Sequence, residues 1–166
     1  MPMNILAEIK EENCEAADWL LYYSYRRRQF YKNKQDETYA SSLPEVVIRT
    51  GPGNPTAFHA MRLCSLDACE QWLEAVETVE DNLEEKKLVF LKYRREAAYI
   101  TKKVRGKSAW VLYVQRHYAE EMAKLQNKQP EDCWLSETTM KEWWTEIIEL
   151  TARVLLKIKT KHLKKI

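Results

Sequence analysis

Residues that interrupt helices are few in this chain, and they are clustered. Three glycines and five prolines occur among 166 residues, and beyond Pro2 they fall within 44–55, at Gly106 and at Pro130. Because proline and glycine are the residues that most often end a helix, each stretch between these breaks has room for one or two helices. The sequence therefore predicts an all-α fold of about five helices, in which only 46–48 is β-like and no sheet reaches three strands.

Apolar side chains recur at helical spacing within each stretch. The first predicted helix covers 4–41. A second is expected over 56–91, with its first residue, a threonine, acting as the N-cap. Gly106 suits a left-handed C-terminal residue and Ser108 suits a new cap, and the helix that follows covers 110–125.

The last predicted helix begins after Ser136. The Ser136 hydroxyl is expected to accept an orphan backbone N–H, and Glu137 places a carboxylate at the positive end of the helix dipole. One face is apolar over several turns, because these residues recur at three- and four-residue steps: Met140, Trp143, Trp144, Ile147, Ile148, Thr151, Val154, Leu155 and Ile158. We expect this face to anchor the helix in the core.

The opposite face of this last helix carries the candidate site. Short polar side chains at a helix N-terminus, followed by a basic tail, are typical of a recognition helix that enters a DNA major groove. The predicted base-reading residues are Thr138, Thr139, Lys141, Glu142 and Thr145, and the predicted phosphate contacts are Lys157, Lys161 and Lys164. An ordinary capped core helix would show the same pattern and remains the alternative.

Charge is distributed unevenly along the chain, although the net charge is only +2. Eight Asp or Glu and no basic residue lie in 67–85, whereas nine Lys or Arg and one Glu lie in 86–107. Basic clusters attract phosphate. The second segment therefore adds four predicted phosphate contacts: Lys102, Lys103, Arg105 and Lys107.

Aromatic and guanidinium side chains are mixed in the segment Tyr22-Tyr23-x-Tyr25-Arg26-Arg27-Arg28-x-Phe30-Tyr31. Platforms for single-stranded nucleic acid combine these two residue types. On a helix, however, these aromatic side chains spread around the circumference, and arginine stems commonly lie over aromatic rings inside helical interfaces. The segment is therefore interpreted as a packing surface.

Motifs for catalysis or metal binding are absent from the sequence. It holds no phosphate loop, nucleophile elbow or dinucleotide fingerprint. Cys14, Cys64, Cys69 and Cys133 form no C-x-x-C pair, and the three histidines complete no zinc-ligand spacing. We therefore expect buried reduced thiols, no metal, no cofactor and no enzymatic activity. The carboxylates of 74–85 lack a Glu-x-x-His partner and are interpreted as a solvated helix face.

No apolar segment approaches the length of a membrane span. The N-terminus has no basic region leading into an apolar run, so it does not resemble a signal peptide. We expect a cytoplasmic protein without a membrane partner.

The C-terminal part resembles a family of phage regulators. A long helix follows the turn at Pro55-Thr56-Ala57, and three motifs come after it: Val89-Phe90-Leu91-x-x-Arg94, Val114-Gln115-x-x-Tyr118 and Leu135-Ser136-x-x-Thr139-Met140-x-x-Trp143. Over roughly 56–158 this order resembles the RinA-type and ArpU-type phage transcriptional regulators. The resemblance implies a helix-turn-helix similar to the promoter-reading domain of sigma factors. The helix over 110–125 would cross the DNA backbone, and the helix from Ser136 would read bases.

One spacing departs from this pattern. Ten residues, 126–135, separate the two helices, where a helix-turn-helix usually has three or four. Either 131–134 forms an extra turn, or the first helix is assigned wrongly. A competing placement makes 105–108 the turn and the helix from Ser108 the reader.

The sequence thus predicts two regions, with 1–85 a long-helix oligomerisation region and 86–166 a helix-turn-helix-like DNA-binding region. The predicted function is that of a phage- or prophage-derived transcriptional regulator that binds double-stranded DNA as a homodimer, with RNA polymerase as an implied partner. Two alternatives stay open. A small terminase subunit would form a closed ring, and a structural helical interaction protein would not bind DNA.

Overall fold

The computed structural model of the chain describes residues 5–42, 55–100, 103–104 and 107–165. Its helices are α1 Ile5–Leu21, α2 Tyr23–Ser42, α3 Pro55–Asn82, α4 Glu85–Glu96, α5 Ala109–Gln126 and α6 Glu137–Leu163. Two short 3-10 helices, Ala97–Tyr99 and Pro130–Cys133, and two strands, β1 Lys103–Val104 and β2 Lys107–Ser108, complete the described part. The predicted all-α class is confirmed for this described part, which holds six α-helices where the sequence suggested about five. Both strands lie within 103–108, a segment that the sequence did not predict to be β-like. They pair with each other only, so no three-stranded sheet occurs among the described residues.

The first predicted helix, over 4–41, is divided at Tyr22. This residue adopts a turn between α1 and α2. Its N–H still donates to the Asp18 carbonyl at 3.0 Å, and the Arg26 N–H donates to the Tyr22 carbonyl at 2.9 Å. Tyr22 therefore keeps one helical hydrogen bond to α1 and one to α2, although it belongs to neither helix.

The second predicted helix, over 56–91, is also two helices, so the expectation of one continuous helix was wrong. α3 ends at Asn82, whose side-chain amide donates to the Thr78 carbonyl at 2.7 Å. Glu84 is extended, with φ −61° and ψ 150°, before α4 begins. Asparagine and aspartate favour such breaks because their side chains compete for backbone hydrogen bonds.

The start of α3 differs in detail from the predicted cap, whereas Ser108 stands directly before α5, at the position predicted for its cap. α3 begins with Pro55 and includes Thr56, because the fixed φ of proline suits the first helical position and its missing N–H costs nothing there. Ser108 closes β2 directly before α5. Gly106 and the β-like 46–48 lie outside the described residues.

One apolar core joins helices from both ends of the chain. α6 lies antiparallel to α3, since its C-terminal end lies beside α3 residues 67–74 while its N-terminal half lies beside α4. Trp19 of α1 stacks on Trp72 of α3, with ring centroids 6.1 Å apart. The largest fully buried side chains come from five of the helices: Leu20, Val76, Val79, Phe90, Leu91, Val111, Val114, Met140, Ile147 and Thr151.

Arg95 connects three of the helices through polar contacts. Its Nε donates to the Leu20 carbonyl at 2.7 Å, and its guanidinium pairs with Glu80 of α3. The Leu20 carbonyl is one of the orphan acceptors at the C-terminal end of α1, so a cation there satisfies it and opposes the negative end of the helix dipole.

The core cluster includes side chains from both 1–85 and 86–166. The predicted division into an oligomerisation region and a DNA-binding region stays a prediction. None of the helices in the described part is long and apolar enough to cross a membrane.

Candidate nucleic-acid interface

The N-terminus of α6 has the predicted cap. Ser136 is extended, with φ −70° and ψ 153°, and its Oγ accepts the Thr139 N–H at 3.1 Å. The Ser136 carbonyl also accepts the Met140 N–H at 3.1 Å, which is the first bond of the helix. Glu137 follows in the first turn, at the positive end of the helix dipole.

The inner face of α6 is anchored as the apolar pattern predicted. Met140 and Ile147 are fully buried. The Trp143 ring packs edge-on against Phe90 of α4 and Tyr118 of α5, with centroids 5.8 Å and 6.0 Å away. The start of α6 is therefore held by two neighbouring helices, so its outer face has a fixed direction.

That outer face presents most of the predicted base-reading residues. Four of them are exposed and line one shallow groove together with Glu146: Thr138, Lys141, Glu142 and Thr145. The Lys141 Nζ lies 2.8 Å from a Glu137 carboxylate oxygen, and the Thr145 hydroxyl donates to the Lys141 carbonyl at 2.9 Å. Both polar groups already have partners on their own helix.

Thr139 differs from the other four predicted readers. Its side chain is half-buried, and its hydroxyl lies 2.8 Å from the Ser136 hydroxyl. Thr139 therefore belongs to the cap as described, and a base contact would require this hydroxyl to change partner.

The electrostatic environment of the outer face is acidic rather than basic. Lys141 shares this half of α6 with four carboxylates: Glu137, Glu142, Glu146 and Glu149. Among the neighbouring lysines, Lys87 pairs with Glu146 at 2.8 Å and Lys86 lies over the Trp143 ring at 5.6 Å. A phosphate backbone placed directly on this face would meet more negative than positive charge.

The C-terminal half of α6 has the opposite charge. After Glu149 the chain has no Asp or Glu, and four exposed cations follow at steps of three or four residues: Arg153, Lys157, Lys161 and Lys164. We call these four the basic row. None of them has a carboxylate partner among the described residues. The neighbouring Lys159 and Lys165 instead line a groove with Asp67, Glu70 and Glu74 of α3.

The predicted readers and the predicted phosphate contacts on α6 are not brought together. At 1.5 Å per residue, Lys161 lies about 35 Å along the helix from Thr138. At 3.6 residues per turn, Lys157, Lys161 and Lys164 lie roughly a third of a turn around the helix from Thr138 and Thr145. Both sets could touch one duplex only if α6 lay lengthwise along a groove.

The other four predicted phosphate contacts lie within 102–107 of the sequence, the segment that contains the two strands. Lys102 and Arg105 lie outside the described residues, and only the backbone of Lys103 and Lys107 is described. β1 and β2 are antiparallel, with Lys103 opposite Ser108 and Val104 opposite Lys107. Two predicted contacts thus lie on adjacent strands directly before α5.

The connection between α5 and α6 contains the extra turn that the ten-residue spacing allowed. Asn127, the residue directly after α5, has a positive φ of 52°. The Lys128 N–H then donates to the Ala123 carbonyl at 2.9 Å. The 3-10 helix Pro130–Cys133 follows. The buried Gln115 amide then donates to the Leu135 carbonyl at 2.9 Å, which ties the connection to α5. The helix-turn-helix assignment stays a prediction.

The interpretation of the Tyr22–Tyr31 segment as a packing surface holds for only part of it. Phe30 is buried and Tyr23 is half-buried, but Tyr25 is 54% exposed and Tyr31 is 45% exposed. Five exposed residues, here called the α2 face, line a shallow groove: Arg27, Arg28, Tyr31, Lys32 and Gln35. A sequence signal was available, because no aliphatic residue occurs from Gln29 to Thr38.

Arg94 occupies a further site that the sequence did not single out. Its guanidinium lies over the Trp110 ring at 4.2 Å and over the Trp144 ring at 4.9 Å. Burial lowers the pKa of Arg94 to about 10, which leaves the side chain charged at neutral pH. This stack joins α4, α5 and α6 beside the candidate interface and identifies Arg94 as a structural cation.

The cysteines are unpaired, as expected, but they are not all buried. Cys14 and Cys64 are exposed, whereas Cys69 and Cys133 are partly buried. Burial raises the pKa of the Cys69 thiol, which keeps it protonated and poorly nucleophilic. Within the described residues no three His, Cys, Asp or Glu side chains are grouped as a metal site.

The chain matches no protein-family model, no curated protein and no solved structure. The resemblance to RinA-type and ArpU-type regulators therefore rests on the sequence motifs alone and stays a prediction.

Proposed function

We propose that this protein binds double-stranded DNA and acts as a phage- or prophage-type transcriptional regulator. The basic row on α6 carries the proposal. Four exposed cations, which have no carboxylate partner among the residues that the structure describes, form a line about 16 Å long. Duplex DNA carries one negative charge per roughly 1.7 Å of its axis, so such a line can contact several phosphates at once.

Binding through the basic row would be driven by counterion release and would not depend on sequence. Sequence preference requires contacts with base edges. We propose that the exposed Thr138, Lys141, Glu142 and Thr145 supply such contacts, with α6 lying lengthwise in the groove so that the basic row flanks the groove wall. Thr139 would contribute indirectly, since its contacts with Ser136 hold the N-terminus of α6 in place.

The experiment separates the two kinds of contact. Replacing Lys157, Lys161 and Lys164 singly with alanine should weaken binding to every duplex alike and reduce the salt slope by about one unit per contact. Replacing Lys141 or Glu142 should cost about 1–3 kcal/mol on a selected site and little on random DNA. Duplex binding that is absent at low salt, or equal losses from both sets, would contradict the proposal.

We further propose that the protein is a homodimer, because a two-fold protein matches a two-fold operator. Exposed apolar side chains near the start of α3 offer a surface for a second copy, with Met61 70% exposed and Leu63 43% exposed. Light scattering at micromolar concentration should give twice the chain mass. A monomer would contradict this proposal, and a mass of many chains would favour the ring of a small terminase subunit.

One observation favours a helical interaction protein as the second candidate function. The first half of α6 carries four carboxylates against Lys141, and its second half exposes Leu156 at 65% and Leu163 at 73%. Such a surface suits a protein partner with basic and apolar groups. Two results together would favour this candidate. The native chain would not bind duplex DNA, and variants that lack the basic row would still bind a protein partner.

A further inference from the structure

We propose that α2 is a second DNA-contacting helix, which enters the major groove of a duplex through the α2 face. This inference rests on the proposed DNA-binding function. It assigns groove contact to a helix that includes most of the segment from Tyr22 to Tyr31, whose sequence favours a packing surface.

The first argument is exposure. Every residue from Tyr31 to Asp36 is exposed, so this part of α2 is open to solvent on its outer side and on both flanks. Its attachment comes from the flanking residues, because Phe30 is only 5% exposed and Glu37 pairs with His59 of α3 at 2.5 Å. An α-helix with side chains is about 10–12 Å wide, and the major groove is about 12 Å wide. Only a helix that is open on both flanks can enter so narrow a groove.

The second argument is unpaired charge. Arg26 pairs with Asp18 and lies over the Trp19 ring at 4.9 Å, so it belongs to the helix interface. By contrast, Arg27, Arg28 and Lys32 have no carboxylate partner in the part of the chain that the structure describes. Three neighbouring cations without counter-charges repel one another, and a polyanion relieves that repulsion.

The third argument is the chemistry of the side chains. Arg28, Lys32 and Gln35 follow one another at steps of four and three residues, so they form one line about 10 Å long. Arginine and lysine donate to guanine O6 and N7, and glutamine pairs with adenine N6 and N7. Beside this line, the Arg27 guanidinium lies 4.8 Å from the Tyr31 ring centroid. The stacking holds that cation near the position of a groove-lining phosphate.

The surroundings of α2 also set the direction from which a duplex approaches. On the inner side, Phe30 and Lys34 line a groove with Asp67 and Glu70 of α3. These carboxylates repel phosphate from that side. The outer side has a single exposed carboxylate in this half of the helix, Asp36. A duplex is therefore expected to meet the outer α2 face.

The test compares two variants of equal charge change by fluorescence anisotropy with a random-sequence duplex of about 20 base pairs. R28A/K32A removes two cations from the α2 face. The control, R116A/K124A, removes two exposed cations from α5, of which Arg116 has an ion pair with Glu120 at 3.4 Å. We expect R28A/K32A to weaken binding at least tenfold and to reduce the salt slope by nearly two units. The control should change binding less than twofold, and circular dichroism should show both variants folded.

Two further variants keep the inference falsifiable. The charge-preserving R28K/K32R should retain most of the random-duplex affinity, because phosphate contacts need charge more than shape. Q35A should leave binding to random duplex unchanged but lose at least fivefold on a site selected by the native protein, since glutamine contributes base contacts and no charge.

The failures are distinguishable from one another. Loss of binding in the basic-row variants but not in R28A/K32A would overturn the role of α2 and leave the proposed function intact. An equal loss in R116A/K124A would overturn it as well, because net charge would then be sufficient. Native protein that does not bind duplex would overturn both proposals. If R28A/K32A weakens binding only to a single strand of the same length and not to the duplex, the α2 face would be a stacking platform for single strands and not a groove-binding helix.

Discussion

Two exposed helix faces differ in what holds them and in what charge they carry. The start of α6 has a capped N-terminus and a buried side that includes Met140 and Ile147. In α2, by contrast, the residues 31–36 have no buried side chain among them, because all six are exposed. Yet the outer face at the start of α6, here called the α6 face, is rich in carboxylates, whereas the α2 face carries Arg27, Arg28 and Lys32. The more firmly anchored face is therefore on α6, whereas the charge that suits DNA is on α2.

The difference shows that a capped amphipathic helix is recognisable from sequence because capping and periodicity are local properties. The charge that a ligand meets depends on neighbours that are distant in the chain. Lys87 and Glu146 are 59 residues apart, for example, and their side chains pair at 2.8 Å. A recognition-helix pattern therefore predicts where a helix begins better than it predicts what that helix binds.

The largest expected effect concerns anchoring. Ile147→Ala leaves a cavity beneath the α6 face and should lower the free energy of unfolding by about 2–5 kcal/mol. Lys32→Ala on α2 removes an exposed side chain and should change it by less than about 0.5 kcal/mol. Urea unfolding followed by circular dichroism measures both. Similar values for the two variants would break the contrast between an anchored face and an open one.

The helical fold was predictable from the sequence because the breakers and the apolar spacing are local signals. The split at Asn82 was not, since no glycine or proline marks it, and asparagine is a weaker signal that interrupts a helix only in some contexts. The Ser136 cap was predictable from its hydroxyl and the apolar run after it. The absence of aliphatic residues from Gln29 to Thr38 indicated that α2 is open on part of its surface. The exposure of Arg27 and Arg28 in particular was not predictable, because the covered side of the helix depends on how α3 packs against it.

The next effect in size concerns the stack behind the α6 face. Arg94→Lys keeps the charge but loses the planar group between Trp110 and Trp144, so it should cost about 1–2 kcal/mol of stability. The control is Arg116→Lys, whose native side chain is 78% exposed and should tolerate the change. Urea midpoints of the three proteins give the comparison. Equal stability of Arg94→Lys and the native chain would show that the two indoles require only a positive charge.

A smaller effect is expected at the cap. Ser136→Ala leaves the Thr139 N–H without its acceptor and should cost about 1 kcal/mol. Ser136→Asp should retain most of the stability, because aspartate caps equally well. Thermal unfolding measures both variants. Since the Thr139 hydroxyl also lies beside Ser136, a loss of DNA affinity in Ser136→Ala but not in Ser136→Asp would assign Thr139 a supporting role. No stability loss in Ser136→Ala would contradict the capping geometry.

The smallest expected effect is a gain in DNA affinity when carboxylates that repel phosphate are removed from the α6 face. If this outer face of α6 lies against DNA, E142Q/E149Q should strengthen binding to a random-sequence duplex by about twofold to fivefold at low salt, because two exposed negative charges no longer face phosphate. The matched control is E131Q/D132N, which neutralises two exposed carboxylates of the 3-10 helix and should change affinity less. Anisotropy titrations at two salt concentrations measure the gain, which should shrink at the higher salt through screening. An unchanged affinity in E142Q/E149Q would place the α6 face away from the duplex and leave α2 to make the groove contacts.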